Sequence, residues 1–281
     1  MPMHGATGQG GRGGAVSVPP RIPVFDVGVS AVTMDAVIGE IDRWVAESAR
    51  SYICVADAHS LVSAWSSPDL RAVYNAAGMV VPDGMPLVWL LRRLTDLPVG
   101  RVCGFDLLPA FARHAAGRGY RHFFYGAGPG VPERLGERLS ARFPGFMVVG
   151  AHSPPFRPLT HEEDAEIVRI INAAEPDVIW VGLGAPKQER WMAEHRDRLD
   201  APVLIGVGAA FDTEAGEKRR APQWMQRAGL EWFFRLCSEP GRLWLRYARI
   251  VPLFVGLGAL QIAKARRPVR QPAGRGSGEA Q

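Results

Sequence analysis

With 281 residues, 47% of them hydrophobic and 22% charged, the chain can bury one large core with an appendage, and its composition excludes a disordered or fibrous protein. The net charge of +5 is uneven: from Lys218 onward 13 Lys and Arg face 3 Asp and Glu, a balance of +10 that leaves −5 on the preceding residues. Such a basic C-terminal segment on an acidic body points to an anionic partner, while three scattered cysteines (Cys54, Cys103, Cys237) argue against a disulfide framework or a cysteine-rich zinc site.

Residues 1–20 are Gly-rich and lack an apolar core, so they are expected to be disordered and not a signal peptide. Thr33 is placed to cap a helix carrying Ile38, Ile41, Trp44 and Val45. A β-rich run over 52–57 follows, then helical stretches through Leu61 and Val73. A strand over 79–82 leads into a helix over 86–94, a short strand over 101–104 and a helix over 106–116. Next come a strand over 122–126, a helix over 132–143 and a strand over 146–151. Thr160 and Glu163 have capping-box spacing ahead of a helix with Ile167, Ile170 and Ile171. A strand over 177–182, a helix over 186–199 and a strand over 203–207 complete the alternation.

Continuous apolar strands separated by helices imply the α/β class: a Rossmann-like, mainly parallel sheet with helices on both faces. The alternation stops near Arg219-Arg220-Ala221-Pro222, beyond which the pattern is helical. The expected division is an α/β domain over 21–217, a helical appendage over 218–262 and a basic disordered tail over 263–281. The longest apolar run, 250–262, falls short of the ~18 residues of a membrane span and contains Pro252, so no transmembrane helix is expected.

Four polar loops follow the strands, and parallel strands would bring all four to one sheet edge, where open α/β sheets bind ligands. At the first, Asp57 and His59 are candidates; His59 reads either as a base or as a hydrogen-bonded loop histidine. At the second, the apolar run ends at Pro82 and Asp83 follows directly, with Gly84 allowing a tight turn. Asp83 has two readings: a helix cap, or a carboxylate, ionised at neutral pH, that accepts a proton at the ligand edge. The third loop, with Gly126 and Gly128, suits backbone contact to a phosphate or nucleotide, or is simply a tight turn. It misses the dinucleotide fingerprint, because Val131 fills the sixth position and no acidic residue follows at the required spacing. The fourth holds Gly182, Gly184, Lys187 and Gln188; its cation and amide beside a helix N-terminus favour binding over packing.

Arg101, just before Asp106, is either a site residue or half of an exposed salt bridge. No D-x-D pair and no His/Cys cluster with ligand spacing occurs, so metal-independent chemistry without a cofactor is expected. In the appendage, Arg235, Arg242, Arg246 and Arg249 fall at steps of seven, four and three, one stripe if a single helix carries them. With Trp232, Phe233, Trp244, Leu245 and Phe254 nearby and Lys264, Arg266 and Arg267 beyond, that segment suits an anionic bilayer surface. A core-packed helix with solvated arginines is the alternative, and no nucleic-acid module appears.

These residues carry a family resemblance. Pro82-Asp83-Gly84-Met85-Pro86, Arg101-Val102 with Gly104 and Asp106-Leu107, Gly182-Leu183-Gly184 with Pro186-Lys187-Gln188-Glu189 and Trp191, and Gly206-Val207-Gly208-Ala209 with Phe211-Asp212 appear in order, followed by Arg219-Arg220-Ala221-Pro222 and Gly229-Leu230-Glu231-Trp232. Together they resemble the WecG/TagA/CpsF glycosyltransferases over roughly 24–247. The resemblance implies an inverting bacterial transferase on the cytoplasmic face of the membrane. It would move a sugar, often of N-acetylmannosamine type, from a UDP donor to a polyprenyl-diphosphate-linked sugar. It further implies Asp83 as catalytic base, Arg101 and Gln188 as donor contacts, and the C-terminal arginines, Arg219 and Arg220 included, as contacts to the lipid diphosphate. Many members carry Thr-x-Asn where this chain has Val55-Ala56-Asp57. An ionised Asp only accepts hydrogen bonds whereas Asn also donates, which leaves the donor sugar open and Asp57 a rival base. A nicotinamide-dependent oxidoreductase using the Gly126 loop and a non-catalytic membrane adaptor remain rival classes. A homo-oligomer is compatible with the sequence.

Overall fold

The computed structural model describes residues 19–227, 230–238 and 240–265. It opens on a hairpin that the sequence pattern did not announce, β1 (Arg21–Val24) and β2 (Val27–Ser30). Its turn residues Phe25 and Asp26 sit at φ 51° and 65°; Asp26 is a turn residue, but the bulky Phe25 at the other left-handed position hides the hairpin signal. After α1 (Met34–Ala46), β3 (Ser51–Ala56) is followed by α2 (Ala58–Ser66) and α3 (Pro68–Ala76), then β4 (Met79–Pro82) by α4 (Met85–Leu94) and α5 (Gly104–Ala115). Next come β5 (Arg121–Gly126), α6 (Val131–Arg142), β6 (Met147–His152), α7 (His161–Ala173), β7 (Val178–Gly182), α8 (Lys187–His195), β8 (Val203–Gly206) and α9 (Ala210–Glu214).

Six strands form one sheet in the order β4-β3-β8-β7-β5-β6, with every pairing parallel. Because side chains alternate across a strand, β3, β4, β5, β7 and β8 each feed two cores, while the edge strand β6 packs Val148 and Ala151 on one. Tyr52, Cys54, Ile179, Val181 and Leu204 pack with α2, α3, α4, α7, α8 and the hairpin. Ile53, Val55, Val178, Trp180 and Ile205 pack with α1, α5, α6 and α9 on the other face. The α/β reading therefore holds.

Three local expectations do not. Residues 101–104 are not a strand: the Val102 amide bonds the Pro82 carbonyl at 2.8 Å, but α5 begins at Gly104 before a ladder can form. Beyond α10 (Gln223–Arg227) the appendage is two helices, α11 (Glu231–Ser238) and α12 (Pro240–Ala265), so Arg235 does not share a helix with Arg242, Arg246 and Arg249. Pro240 suits a helix start because a first-turn residue needs no amide donor. Finally, α12 runs on through Pro252 to Ala265, past the expected end at 262. Its stretch Leu243–Ala265 is long and apolar enough to cross a membrane by length and composition. The expectation that no helix reaches span length is thus corrected; α12 also touches the α/β domain, where Phe254 meets Phe25 edge-on at 5.4 Å, Gly258 abuts Leu90, and the Gln261 amide bonds the Pro23 carbonyl. Along it Trp244, Leu245, Val255 and Leu260 are exposed. The expected disordered segments, 1–20 and 263–281, fall outside the described residues apart from 19–20 and 263–265.

Candidate active site

Parallel strands place all their C-terminal tips on one edge, so the four loops converge as expected. Ala56 and Pro82 are register partners on β3 and β4, which sets Asp57 and Asp83 side by side. They differ in local role. Asp57 is the N-cap of α2, its Oδ1 accepting from the Ser60 amide at 2.8 Å. Asp83 is not a cap, since the N-cap of α4 falls on Gly84. Its amide is tied to the Ala56 carbonyl at 2.9 Å and its own carbonyl accepts from Arg101 Nε at 2.9 Å. The backbone at position 83 is thus held from both sides, and the partly exposed side chain stands at the sheet edge.

Arg101 joins this tip to the appendage. Its Nη2 bonds Glu231 Oε2 at 2.6 Å, at the first residue of α11, and also reaches Cys103 Sγ at 3.0 Å. Glu231 Oε1 accepts from Arg220 Nε at 3.0 Å, and Arg220 Nη1 bonds Asp106 Oδ1 at 2.6 Å. The Arg220 guanidinium also lies 5.2 Å over the Phe105 ring. One carboxylate therefore bridges two arginines, and the three side chains are 14–19% exposed. Burial pushes against both guanidinium charges, but the surrounding carboxylates outweigh it: Asp83, Glu231 and Asp106 raise Arg101, and Asp106 and Glu231 raise Arg220. For Asp106 burial acts upward, yet the bond from Arg220 holds its carboxyl below the ordinary range.

The glycine loops pack backbone on backbone. Gly126, at φ 125°, has no room for a Cβ, which would meet the Gly182 carbonyl carbon at 2.6 Å; a Cβ on Gly182 would meet the Phe211 ring at 2.6 Å. Gly128 accepts from Ser153 Oγ at 2.9 Å, and Gly184 turns at φ 76° with open space around it. Lys187 is exposed at the start of α8. Gln188, in contrast, is only 4% exposed: its Oε1 accepts from the Gly184 amide at 3.2 Å and its Nε2 donates to Glu189 Oε1 at 3.0 Å. It braces the Gly184 turn from below rather than offering an open amide. Glu189 is fully buried beside Asp57 and Tyr74, and burial lifts its carboxyl to about 7.

Of the appendage candidates, Arg220 belongs to the Glu231 bridge and Arg219 is exposed. Arg246 and Arg249 face α2 across a groove that His59 also lines. The side chains of Arg235 and Arg242 lie outside the described residues. Burial, with Arg246 nearby, lowers the His59 pKa, which favours a neutral ring at pH 7. Among the described residues no group of three or more His, Cys, Asp or Glu is arranged to hold a metal.

The sequence profile of the glycosyl transferase WecG/TagA/CpsF family matches residues 22–268, covering both the sheet edge and the appendage that closes on it. The chain belongs to this family. As a member it is a glycosyltransferase, and its relatives have more specific names. A protein of Bacillus spizizenii, 30% identical over 71% of this chain and 76% of its own, is an N-acetylglucosaminyldiphosphoundecaprenol N-acetyl-beta-D-mannosaminyltransferase. Proteins of Staphylococcus aureus (strain MW2; 28% identical over 89% of this chain and 95% of its own) and Bacillus subtilis (31% over 65% and 69%) bear the same name. Two groups in this transferase's site escaped sequence reasoning as site residues, Glu231 and Glu189. Each sits inside a quoted motif, but only the fold reveals that one bridges two arginines and the other is buried beneath the strand tips.

Proposed function

We propose that this transferase moves a sugar of N-acetylmannosamine type from a UDP-sugar to N-acetylglucosamine on a polyprenyl diphosphate, with inversion and without a metal. The observation that carries the reading is Asp83 at the β4 tip, outside the cap position, with Arg101 on its backbone carbonyl. In this reaction the acceptor hydroxyl oxygen attacks the anomeric carbon while Asp83 takes its proton, a general-base contribution of ~10²–10⁴-fold. The bond to UDP breaks with its electron pair going to the leaving diphosphate, and a single displacement inverts the anomeric centre. Arg101, Lys187 and the α8 N-terminus are the groups that offset the developing charge. Gln188 acts indirectly, by fixing the Gly184 turn.

The names of the relatives support the acceptor class and contact with a membrane-held lipid. We place the enzyme peripherally on the cytoplasmic face, with the exposed apolar side of α12 against the lipid surface. A screen of UDP-sugars against a prenyl-diphosphate-N-acetylglucosamine, with and without EDTA, tests this reading. Transfer from a UDP-sugar that survives EDTA is expected; binding of NAD but not UDP, or transfer abolished by EDTA, would refute it.

A further inference from the structure

The groove between α2 and α12 has a volume of about 600 Å³, and two kinds of side chain line it. His59, Val62, Ser63 and Ser66 on α2 recur at three- and four-residue steps, so they share the face turned towards α12. Across from them stand Arg246, Arg249, Ile250 and Leu253. His59 lies in the first turn of α2, two residues past Asp57, so this end of the groove lies beside the β3 tip, whose neighbour in register is the β4 tip that carries Asp83. Arg246 is near enough to His59 to perturb it electrostatically. Seven residues further along α2, about 10 Å at the helical rise, Ser66 and the half-exposed Trp65 line the other end. Val62, Trp65, Ile250 and Leu253 form its apolar walls. Leu245 lines the groove as well, and the outer side of α12 continues the apolar surface through Val251 and Val255.

An amphipathic slot that starts at a reaction edge and runs out to an apolar surface suits a ligand with an anionic head and a hydrocarbon tail. We propose that this groove seats the diphosphate-proximal part of the acceptor's isoprenoid chain, with His59, Arg246 and Arg249 at the diphosphate and the apolar walls around the first isoprene units. This rests on the acceptor class proposed above and gives His59 a place at the acceptor in place of the base role. It also makes α2, part of the α/β domain, half of the lipid site; the appendage alone does not build it.

The test compares farnesyl diphosphate with inorganic diphosphate by calorimetry, on the full chain and on Ser63→Trp and Ser66→Trp, each of which fills the groove from α2. The wild-type protein should bind farnesyl diphosphate at least about tenfold tighter than diphosphate, since each buried methylene adds to the difference. Both variants should lose that preference while keeping the wild-type melting temperature and UDP affinity. Equal affinity for the two ligands in the wild type, or a preference that survives in a folded variant, overturns the proposal. A separate transfer assay on the wild type keeps the two readings apart. Farnesyl selectivity without transfer would count against the reaction and leave the groove standing; transfer without farnesyl selectivity would do the reverse.

Discussion

Glu231→Gln probes how the appendage is held against the site. In the native protein one carboxylate accepts from Arg101 Nη2 at 2.6 Å and from Arg220 Nε at 3.0 Å. Hydrogen bonds to charged groups contribute about 1.5–3 kcal/mol each. The substitution keeps the shape and one acceptor but removes the charge, and Arg220 retains Asp106. Side-chain exposures of 14–19% call for only a modest discount for solvent screening. A loss of about 2 kcal/mol in docking α11 is the resulting expectation, which is about 30-fold in the ratio of open to closed appendage. Hydrogen exchange followed by mass spectrometry reads this directly: α10 and α11 should exchange faster by about that factor, while β3, β7 and β8 keep wild-type protection. Unchanged exchange in α11, or loss of protection throughout the sheet, would refute the bridge as the latch.

Glu189→Gln should alter the pH dependence of stability. Burial lifts this carboxyl from 4.5 to about 7, so between those values the native state keeps a proton that the unfolded chain has released. Its contribution therefore falls as pH rises through that window, by on the order of 3 kcal/mol, and the variant should show a flatter slope in urea denaturation between pH 5 and 7; an identical slope would contradict the assignment. Gly126→Ala combines a left-handed backbone with a Cβ placed 2.6 Å from the Gly182 carbonyl carbon, and should cost about 2–4 kcal/mol of unfolding free energy, read as a lower denaturation midpoint. A stability equal to wild type would mean the two loops are not packed as described. Trp244→Glu puts a charge on the exposed side of α12 and should weaken binding to anionic vesicles by about tenfold without lowering the melting temperature. Undiminished vesicle binding would remove that side from the membrane contact.

The sheet was legible because its strands are continuous apolar runs such as 178–182 and 203–206, each followed by punctuation in Gly or Asp. Once they are parallel, one-sidedness of the loops follows from topology, and Asp57 and Asp83 become neighbours without any motif linking them. The hairpin at Phe25-Asp26 was not legible, because the bulky Phe25 occupies one of its two left-handed turn positions and leaves Asp26 as a lone turn signal. Nor was the continuity of α12, since Pro252 is a local breaker that packing of Phe254 and Gln261 on the hairpin overrides. Cap and base look alike in sequence for an Asp after a strand; only the observed N-cap at Gly84 separates Asp83 from Asp57. The Glu231 bridge joins residues 101, 106, 220 and 231, and no pattern along the chain encodes a contact over such separations.

Asp83 is the group proposed to take the acceptor's proton. Single-turnover transfer by Asp83→Asn, measured beside its affinity for UDP, tests this most directly, because Asn preserves size and polarity but cannot serve as the base. A rate lower by about 10²–10⁴-fold at unchanged UDP affinity is predicted. Transfer at the wild-type rate, with UDP bound equally well, would contradict it.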